Sequence, residues 1–331
     1  GFTGNIGVVY DGWIDGSAQI TGGELSKLEG EVTATTMVRK ELKGGAFLKP
    51  GASITANFAN SSLVGFGGTF GWQLDEWLEG SIEVSAGSTL DSIAGDASAT
   101  LRERKRVGEK LELERGGALK AKFAASEFQG VGGDIGWIYD TWLGGQVNIK
   151  SYSHLDSVDG KASTSVLHSK VVNGELQMKQ GGSLEATIAG GDITQIKGMA
   201  AWRYGQWLGG TVDLQPSTLT ALKGSATATL LQHKDIDGDF SLKPGGSVLM
   251  EFDTAADLAD QSFTGDVAWM YQTWLDGTVT VGAGGSFKGV QGLATARLVA
   301  DKDLENGMVL KSGGNLSVDL QSSKPTTFGG D

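Results

Sequence analysis

Tryptophan is the residue whose spacing in this chain first suggests a binding chemistry. Five tryptophans recur at steps of 64, 65, 65 and 67 residues, the differences between their positions: Trp13, Trp77, Trp142, Trp207 and Trp274. Aromatic rings repeated in this way can serve as platforms for sugars, with avidity supplied by repetition. They can equally fill an apolar core once per repeat. We favour the core, because the neighbouring positions at two-residue spacing are large and apolar. Trp142, Trp207 and Trp274 remain the ligand face of the carbohydrate-binding alternative.

The other side chains that could bind or react do not assemble a site in the sequence. The three histidines, His154, His168 and His233, share no offset from the tryptophans, so a metal site repeated along the chain is not expected. Residues 235–239 read Asp-Ile-Asp-Gly-Asp, which resembles the start of a calcium loop, but the closing glutamate is missing at the required spacing. We predict no metal and no cofactor.

Catalysis is not expected either. Paired carboxylates such as Asp75 and Glu76 fall in predicted turns, where solvated charge is the usual role. No stretch between tryptophans departs from the others by gathering acids, a base and a nucleophile, as an active site would. The basic residues between Arg102 and Arg106 form a single cluster, which we interpret as a solvated sheet edge. The sequence therefore predicts a protein that is not an enzyme.

Composition and charge exclude several classes of partner and site. The formal net charge of −12 argues against nucleic acid, whose phosphates require clustered Lys and Arg. The absence of cysteine rules out disulfides and thiolate metal sites. No run of about 18 apolar residues predicts a membrane-spanning helix, so membrane insertion is not expected.

Glycines at two fixed offsets show that the tryptophans belong to a tandem repeat. One glycine lies nine residues before each tryptophan, at Gly4, Gly68, Gly133, Gly198 and Gly265. Another lies three residues after it, at Gly16, Gly80, Gly145, Gly210 and Gly277. We expect the second set to take positive φ in a hairpin connection. With the five tryptophans, this second set forms the predicted structural anchors of the repeat.

The pattern within one repeat predicts antiparallel strands with one apolar face. Large residues alternate before the tryptophan, as at Ile135, Trp137 and Tyr139, and alternate again after it, as at Val147 and Ile149. A strand with alanines at its inward positions follows, which suggests close approach of a facing sheet or of a large tryptophan. A charged turn, a short strand, a glycine turn and a final strand complete the unit. Apolar pairs at i and i+3 precede a glycine in each unit: Leu25/Leu28, Leu90/Ile93, Leu155/Val158, Leu219/Leu222 and Phe287/Val290. Essentially no helix is predicted.

The expected fold is thus all-β, a tandem array of five antiparallel repeats of about 65 residues. The predicted boundaries are 1–64, 65–129, 130–196, 197–263 and 264–327, with 328–331 opening a truncated sixth repeat because Phe328-Gly329-Gly330 is in phase with Phe2-Thr3-Gly4. We therefore expect a segment of a longer array. An extended curved or spiral sheet, or a solenoid-like shell, is favoured; a five-bladed β-propeller is the alternative, although propeller blades are shorter.

Several repeat phrases support a resemblance. Trp142-Leu143-Gly144-Gly145 and Trp207-Leu208-Gly209-Gly210, with Gly-x-Ala-x-Ala-x-Leu and Lys-x-Gly-Gly-x-Leu, resemble the repetitive β-rich regions of very large exported bacterial polymorphic-toxin polypeptides, such as those associated with contractile injection systems. The resemblance implies a shell or spacer beside a toxic or adhesive module, located outside the cell or packaged for export. It carries no catalytic motif.

The function expected from the sequence is a structural repeat module, a shell, stalk or fibre segment of a larger protein. Its expected partners are further repeats of the same parent chain or identical copies, with a cargo or a glycan as further candidates. The alternative is a multivalent, lectin-like carbohydrate-binding repeat protein.

Overall fold

The structure is a computed structural model that describes most of the 331 residues. The described ranges are 1, 3–24, 27–41, 46–89, 91–154, 156–257, 261–282, 285–286, 289–322 and 324–331. Phe2, Leu25, Leu90, Leu155 and Phe287, which entered the sequence predictions above, lie outside them.

The all-β prediction is confirmed. The chain is 70 % strand and 1 % helix, the described helical turn being a 3-10 turn at Glu305–Gly307. It divides into two compact units, one of Gly1–Ala162 with Ile188–Asp192, the other of Ser163–Thr187 with Ile193–Asp331. The predicted repeat boundaries and the closure of the array stay predictions.

The strands recur in a fixed order, and we name them by their place in it. Five first strands lead up to a tryptophan turn: β1 (Gly4–Tyr10), β7 (Ser62–Leu74), β13 (Glu127–Tyr139), β19 (Asp192–Tyr204) and β25 (Ser262–Tyr271). A sixth strand, β31 (Lys324–Gly330), pairs with the final strand before it as the other first strands do. Second strands return from that turn: β2 (Ile14–Glu24), β8 (Leu78–Ser88), β14 (Leu143–Ser153), β20 (Leu208–Ser217) and β26 (Leu275–Val281). Third strands follow: β3 (Lys27–Thr36), β9 (Gly95–Leu101), β15 (Gly160–Val166), β21 (Lys223–Leu230) and β27 (Gly292–Leu298).

A short hairpin and a final strand complete each repeat. The short hairpins are β4–β5 (Lys40–Glu41, Ala46–Leu48), β10–β11 (Lys105–Val107, Leu111–Leu113), β16–β17 (Lys170–Asn173, Leu176–Met178), β22–β23 (Lys234–Asp235, Phe240–Leu242) and β28–β29 (Lys302–Asp303, Val309–Leu310). The final strands are β6 (Ser53–Ala59), β12 (Ala118–Ala124), β18 (Ser183–Ala189), β24 (Ser247–Asp253) and β30 (Asn315–Gln321).

Antiparallel pairing runs through each unit in the same sequence of neighbours. In the first unit β1 pairs with β2, β2 with β3, β3 with β6, β6 with β7, β7 with β8, β8 with β9, β9 with β12, β12 with β13 and β13 with β14. In the second unit β19 pairs with β20, β20 with β21, β21 with β24, β24 with β25, β25 with β26, β26 with β27, β27 with β30 and β30 with β31. Each unit is therefore built on a many-stranded antiparallel sheet.

The registers place apolar and polar residues on opposite faces of these sheets, as the period of two predicts. Ile135 is opposite Val147, whereas Asp134 is opposite Asn148, whose side-chain amide donates to the Asp134 carboxylate at 2.6 Å. The apolar face is covered only in part. None of the large side chains that the structure describes is fully buried.

The in-phase glycines that take positive φ are not the set that was expected to do so. Gly16, Gly80, Gly145, Gly210 and Gly277 do not take positive φ, so this prediction was wrong. They lie in extended second strands, where a side chain on Gly80 or Gly210 would collide with the backbone of the third strand. Positive φ occurs instead at Gly68, Gly133, Gly198 and Gly265, with φ of 148°, 134°, 134° and 140°. Gly68, Gly133 and Gly198 sit where the register between first and second strands shifts, so a β-bulge requires them.

Candidate functional site: the joints between repeats

The five spacing tryptophans lie at the turn between first and second strands. In the first of these turns Asp11 and Gly12 take φ of 49° and 69°, and the Trp13 amide donates to the Tyr10 carbonyl at 3.2 Å. Positive φ at both central positions is the geometry that suits a two-residue hairpin. Trp13, Trp77, Trp142, Trp207 and Trp274 are all half-buried.

A lysine of the short hairpin covers four of these turn rings. The ammonium nitrogen lies 5.4, 4.8, 5.5 and 5.6 Å from the ring centroid in Lys40–Trp13, Lys105–Trp77, Lys234–Trp207 and Lys302–Trp274. A cation at this distance is attracted by the negative face of the ring. Tyr204 and Tyr271 add edge-on contacts to Trp207 and Trp274, at 6.3 and 6.1 Å between centroids. These rings are therefore engaged within the fold, which favours a structural role over a free sugar platform.

A second set of tryptophans lies in the first strands and explains the small residues beside them. A side chain placed on Gly80, Gly210 or Gly277 would meet the ring of Trp72, Trp202 or Trp269, respectively. The partner of Gly80 on the third strand is Ala99. Of the two causes expected for the inward alanines, the large tryptophan fits this geometry.

We use the word joint for the place where one repeat pairs with the first strand of the next. There the short hairpin and the final strand of one repeat lie end to end along a single first strand. Along β13, residues 127–134 pair with β12 and residues 137–139 pair with β11. The last residue of the hairpin is opposite the strand tryptophan at each of four joints: Leu48–Trp72, Leu113–Trp137, Met178–Trp202 and Leu242–Trp269.

Each joint is filled by one buried residue at the end of a third strand. These residues are among the most buried in the chain, at 2, 5, 7, 6 and 8 % exposure: Thr36, Leu101, Val166, Leu230 and Leu298. The Leu101 amide donates to the Gly117 carbonyl and the Gly116 amide donates to the Leu101 carbonyl, both at 2.8 Å. A side chain on Gly117 would lie 3.0 Å from Leu101 Cδ1 and 3.4 Å from Ile135 Cα, so glycine makes room there for the leucine. In the first repeat Ala52 holds this position beside the smaller Thr36, whose carbonyl and amide form the equivalent hydrogen bonds.

Two joints also carry an ion pair between consecutive repeats. Lys49 Nζ lies 2.7 Å from Glu79 Oε2, and Lys243 Nζ lies 2.7 Å from Asp276 Oδ2. The hydrogen bond from Lys49 lowers the pKa of Glu79, aided by the charges of Lys49 and Arg102, although burial opposes the shift. Both acids stand two residues after a turn tryptophan, and both lysines directly follow the short hairpin.

The histidines and the acidic residues 235–239, which the sequence offered as candidate ligands, do not come together in one site. His233 Nε2 lies 3.0 Å from Asp235 Oδ1, and His154 forms an isolated bridge with Ser157. The Asp237 carboxylate accepts from the Phe240 amide at 2.9 Å, which is the role of an ordinary acidic turn. Within the ranges that the structure describes, no three His, Cys, Asp or Glu side chains could hold a metal ion together.

The basic cluster is paired with carboxylates. Arg102, Arg104 and Arg106 lie 3.6, 3.7 and 3.4 Å from Glu79, Glu114 and Glu112, respectively. Exposed pairs of this kind contribute little to stability individually. The positive charges of these three arginines are therefore matched by carboxylates, and the cluster lies beside a joint.

No family model matches this chain, and no curated protein matches its sequence. Among the described residues there is no helix with the length and apolar character needed to cross a membrane.

Proposed function

We propose that this chain is a structural repeat module, a shell, stalk or fibre segment of a larger protein. In this module, strand pairing continues the β-sheet from each repeat into the next. The observation that supports it most is the joint, where each inner first strand takes its pairing from two elements of the repeat before it. In such a repeat, the next repeat is needed to complete the backbone hydrogen bonds and to cover the buried residue at the end of the third strand, which we call the plug.

Export from a bacterial cell and an association with a toxin belong to the same proposal, and the resemblance of the repeat phrases supports them. Partners would then be further repeats of the parent chain or identical copies, and the module would space or enclose another part of the protein. Its mechanism is mechanical, because the repeated features are backbone pairing, lysine–tryptophan contacts and one buried residue at each joint rather than a reactive constellation.

Single-molecule extension tests the mechanical role. With the chain held at its two ends, Leu230→Ala should lower the unfolding force of the segment beside that joint, because the buried plug is lost. Leu231→Ala, the same change at the exposed neighbouring residue, should leave the force unchanged. Equal forces in both variants and the parent would contradict a load-carrying joint.

A glycan-array measurement tests the alternative, lectin-like function. The structural module predicts no saturable binding, since a lysine already covers the face of the turn tryptophan in four of the five repeats: Trp13, Trp77, Trp207 and Trp274. Saturable binding that disappears in folded Trp142→Ala and Trp207→Ala variants would establish the lectin-like function instead.

A further inference from the structure

A cavity in the middle of the chain lies on the polar face of the sheet, where β12 meets β13. Its lining includes Lys120 and Lys122 of β12, Asp96, Asp134 and Tyr152, and its volume is about 290 Å³. This is close to the lower end of the volumes of small ligand sites. We infer that the cavity binds an extended acidic peptide segment, which lies along β12 with its acidic residues at every second position.

The strand registers place the two lysines next to each other on that face. Lys120 is opposite Ser98 of β9, and Lys122 is opposite Asp96. On their other side both lysines are opposite glycines of β13, Gly132 and Gly130. Residues two apart in a strand point to the same face and are separated by roughly 7 Å. An extended peptide repeats its side chains at the same distance, so carboxylates at positions i and i+2 match the two ammonium groups.

The charges around the lysines leave them available for such a ligand. Within the part of the chain that the structure describes, neither lysine forms an ion pair. Lys122 lies over the Tyr152 ring, with Nζ 5.6 Å from the ring centroid. Asp134 already accepts a hydrogen bond from Asn148 at 2.6 Å. Asp96 is the acid that competes for Lys122, because it is directly opposite on β9.

The net charge of −12 does not prevent an acidic segment from binding at this place. Exposed charges farther away than about 8 Å are largely screened at physiological salt. The local charges therefore decide the sign of the attraction, and among the strand neighbours of Lys120 in the two adjacent strands there is no acid directly opposite.

The segment Ser151–Tyr152 forms one wall of the cavity. A side chain on Gly130 would lie 2.5 Å from Tyr152 Cα, and one on Gly132 would lie 2.7 Å from Ser151 Cα, so the two glycines let this segment close over β13. Tyr152 has φ of 67° and is 61 % exposed. A tyrosine in the left-handed region carries a conformational cost that glycine avoids. The ring stands there beside Lys122, where it would cover one side of a bound segment.

The same backbone arrangement occurs one repeat earlier with different side chains. There Gly65 and Gly67 let residues 86–87 close over β7. The positions of the two lysines and the tyrosine are held by Thr55, Asn57 and Gly87. The other final strands, β6, β18, β24 and β30, contain no lysine. The cations and the aromatic ring of the cavity therefore belong to one place in the array rather than to the repeated framework, as expected of a site with a ligand of its own.

An NMR titration of the full chain with two synthetic peptides tests the site. The probe is acetyl-Gly-Glu-Ser-Glu-Gly-amide. The control, acetyl-Gly-Glu-Glu-Ser-Gly-amide, has the same composition but directs its two acids to opposite faces when extended. The probe should shift the amides of Lys120, Lys122 and Tyr152 and should bind roughly threefold or more tightly than the control, because two ammonium groups are engaged instead of one.

Charge variants identify the side chains that bind. Lys120→Met/Lys122→Met should weaken binding of the probe roughly tenfold. Lys110→Met/Lys324→Met removes the same charge at two other exposed positions and should leave the affinity unchanged. Asp96→Asn should tighten binding about twofold, because the acid that competes for Lys122 is lost. Damage to the fold would not produce a gain in affinity.

Transfer of the side chains gives the last arm of the test. Thr55→Lys/Asn57→Lys/Gly87→Tyr should create a second site one repeat earlier, so that two peptides bind per chain. Equal affinity for the two peptides, or unchanged affinity without the two lysines, would overturn the inference. Glutarate binding as tightly as the probe would also overturn it, in favour of a site for small dicarboxylates. The inference goes beyond the proposed function, because a shell or spacer needs no ligand. Loss of binding in a chain with unchanged strand content would therefore leave the joints untouched.

Discussion

At the scale of single residues, the least exposed apolar side chains of this fold are not its tryptophans. The tryptophans are half-buried, whereas Leu101, Leu230 and Leu298 are each less than 9 % exposed. Each closes the gap between a third strand, a glycine turn and the following first strand. Truncating such a buried side chain removes its apolar contacts and leaves a cavity, and both effects destabilise the fold.

Leu230→Ala should therefore destabilise its joint by about 2–5 kcal/mol, the range for a buried leucine. Native-state hydrogen exchange measures this locally, since a repeat chain need not unfold as one unit. The amides to follow are those of Leu230 and Gly245, which form hydrogen bonds of 2.8 and 2.9 Å across the turn. Leu231→Ala, at 45 % exposure, should change the same protection by less than about 0.5 kcal/mol. Equal losses in the two variants would show that Leu230 is not a plug.

A carboxylate at the base of the last hairpin gives a pH-dependent prediction. The Ser312 amide donates to Asp301 at 2.8 Å, and this bond, with the one from Lys311, lowers the pKa of Asp301 to about 2. Because the folded pKa lies below the unfolded value, the stabilisation is complete above about pH 4 and is lost as the pH falls towards 2. The Ser312 amide chemical shift should titrate with a midpoint near pH 2. Asp301→Asn should abolish the titration, and a midpoint near 4 would contradict the hydrogen bond.

At the scale of elements, the joint depends on a first strand long enough to hold two partners. β7, β13 and β19 each have 13 residues, whereas the final strands have 7 and the second strands of the short hairpins have 3 or fewer. The length is possible because the bulge glycine bends the first strand without ending it. The inner ion pairs add attraction at the same place.

The Lys49–Glu79 pair should contribute modestly, because both side chains are about one-third exposed. Lys49→Met should raise the pKa of Glu79 towards its ordinary value and cost up to about 1 kcal/mol at neutral pH. The lowered folded pKa means that the contribution is present above the unfolded pKa and disappears as the pH falls through the folded one. Denaturation as a function of pH measures it.

Lys179→Met is the matched control for that substitution. Lys179 has the same place after its hairpin, but Gly209 stands where Glu79 or Asp276 would be. Its replacement should leave the pH dependence unchanged. A similar effect in both variants would assign the loss to packing of the lysine stem rather than to the ion pair.

At the scale of the whole chain, the sequence predicts the kind of structure better than its joints. Period-two alternation and the in-phase tryptophans predicted the strands and the tryptophan turns, because both depend on neighbours in sequence. The positive φ was expected at the wrong glycine, since an extended glycine forced by close backbone approach looks the same in sequence as a turn glycine.

The joint was not predicted from the sequence because its contacts link residues of different repeats. The final leucine of Gly-x-Ala-x-Ala-x-Leu was visible, but nothing local distinguished it from other apolar strand residues. The same holds for the hydroxyls of Ser61, Ser126 and Thr254, which accept the Leu28, Ile93 and Leu222 amides at 3.1, 2.9 and 2.9 Å. An alignment of the repeats with one another would have marked both features by their recurrence.

The most direct test of the joint is disulfide trapping inside one chain. Glu112 and Ile138 are opposite each other where β11 meets β13. The Glu112→Cys/Ile138→Cys variant should form an internal disulfide, identified by peptide mapping, without loss of strand content. Glu112→Cys/Asp134→Cys, displaced by four residues and roughly 13 Å along the strand, should not. Bond formation in the displaced pair, or in neither, would contradict the account that each repeat is completed by the one before it.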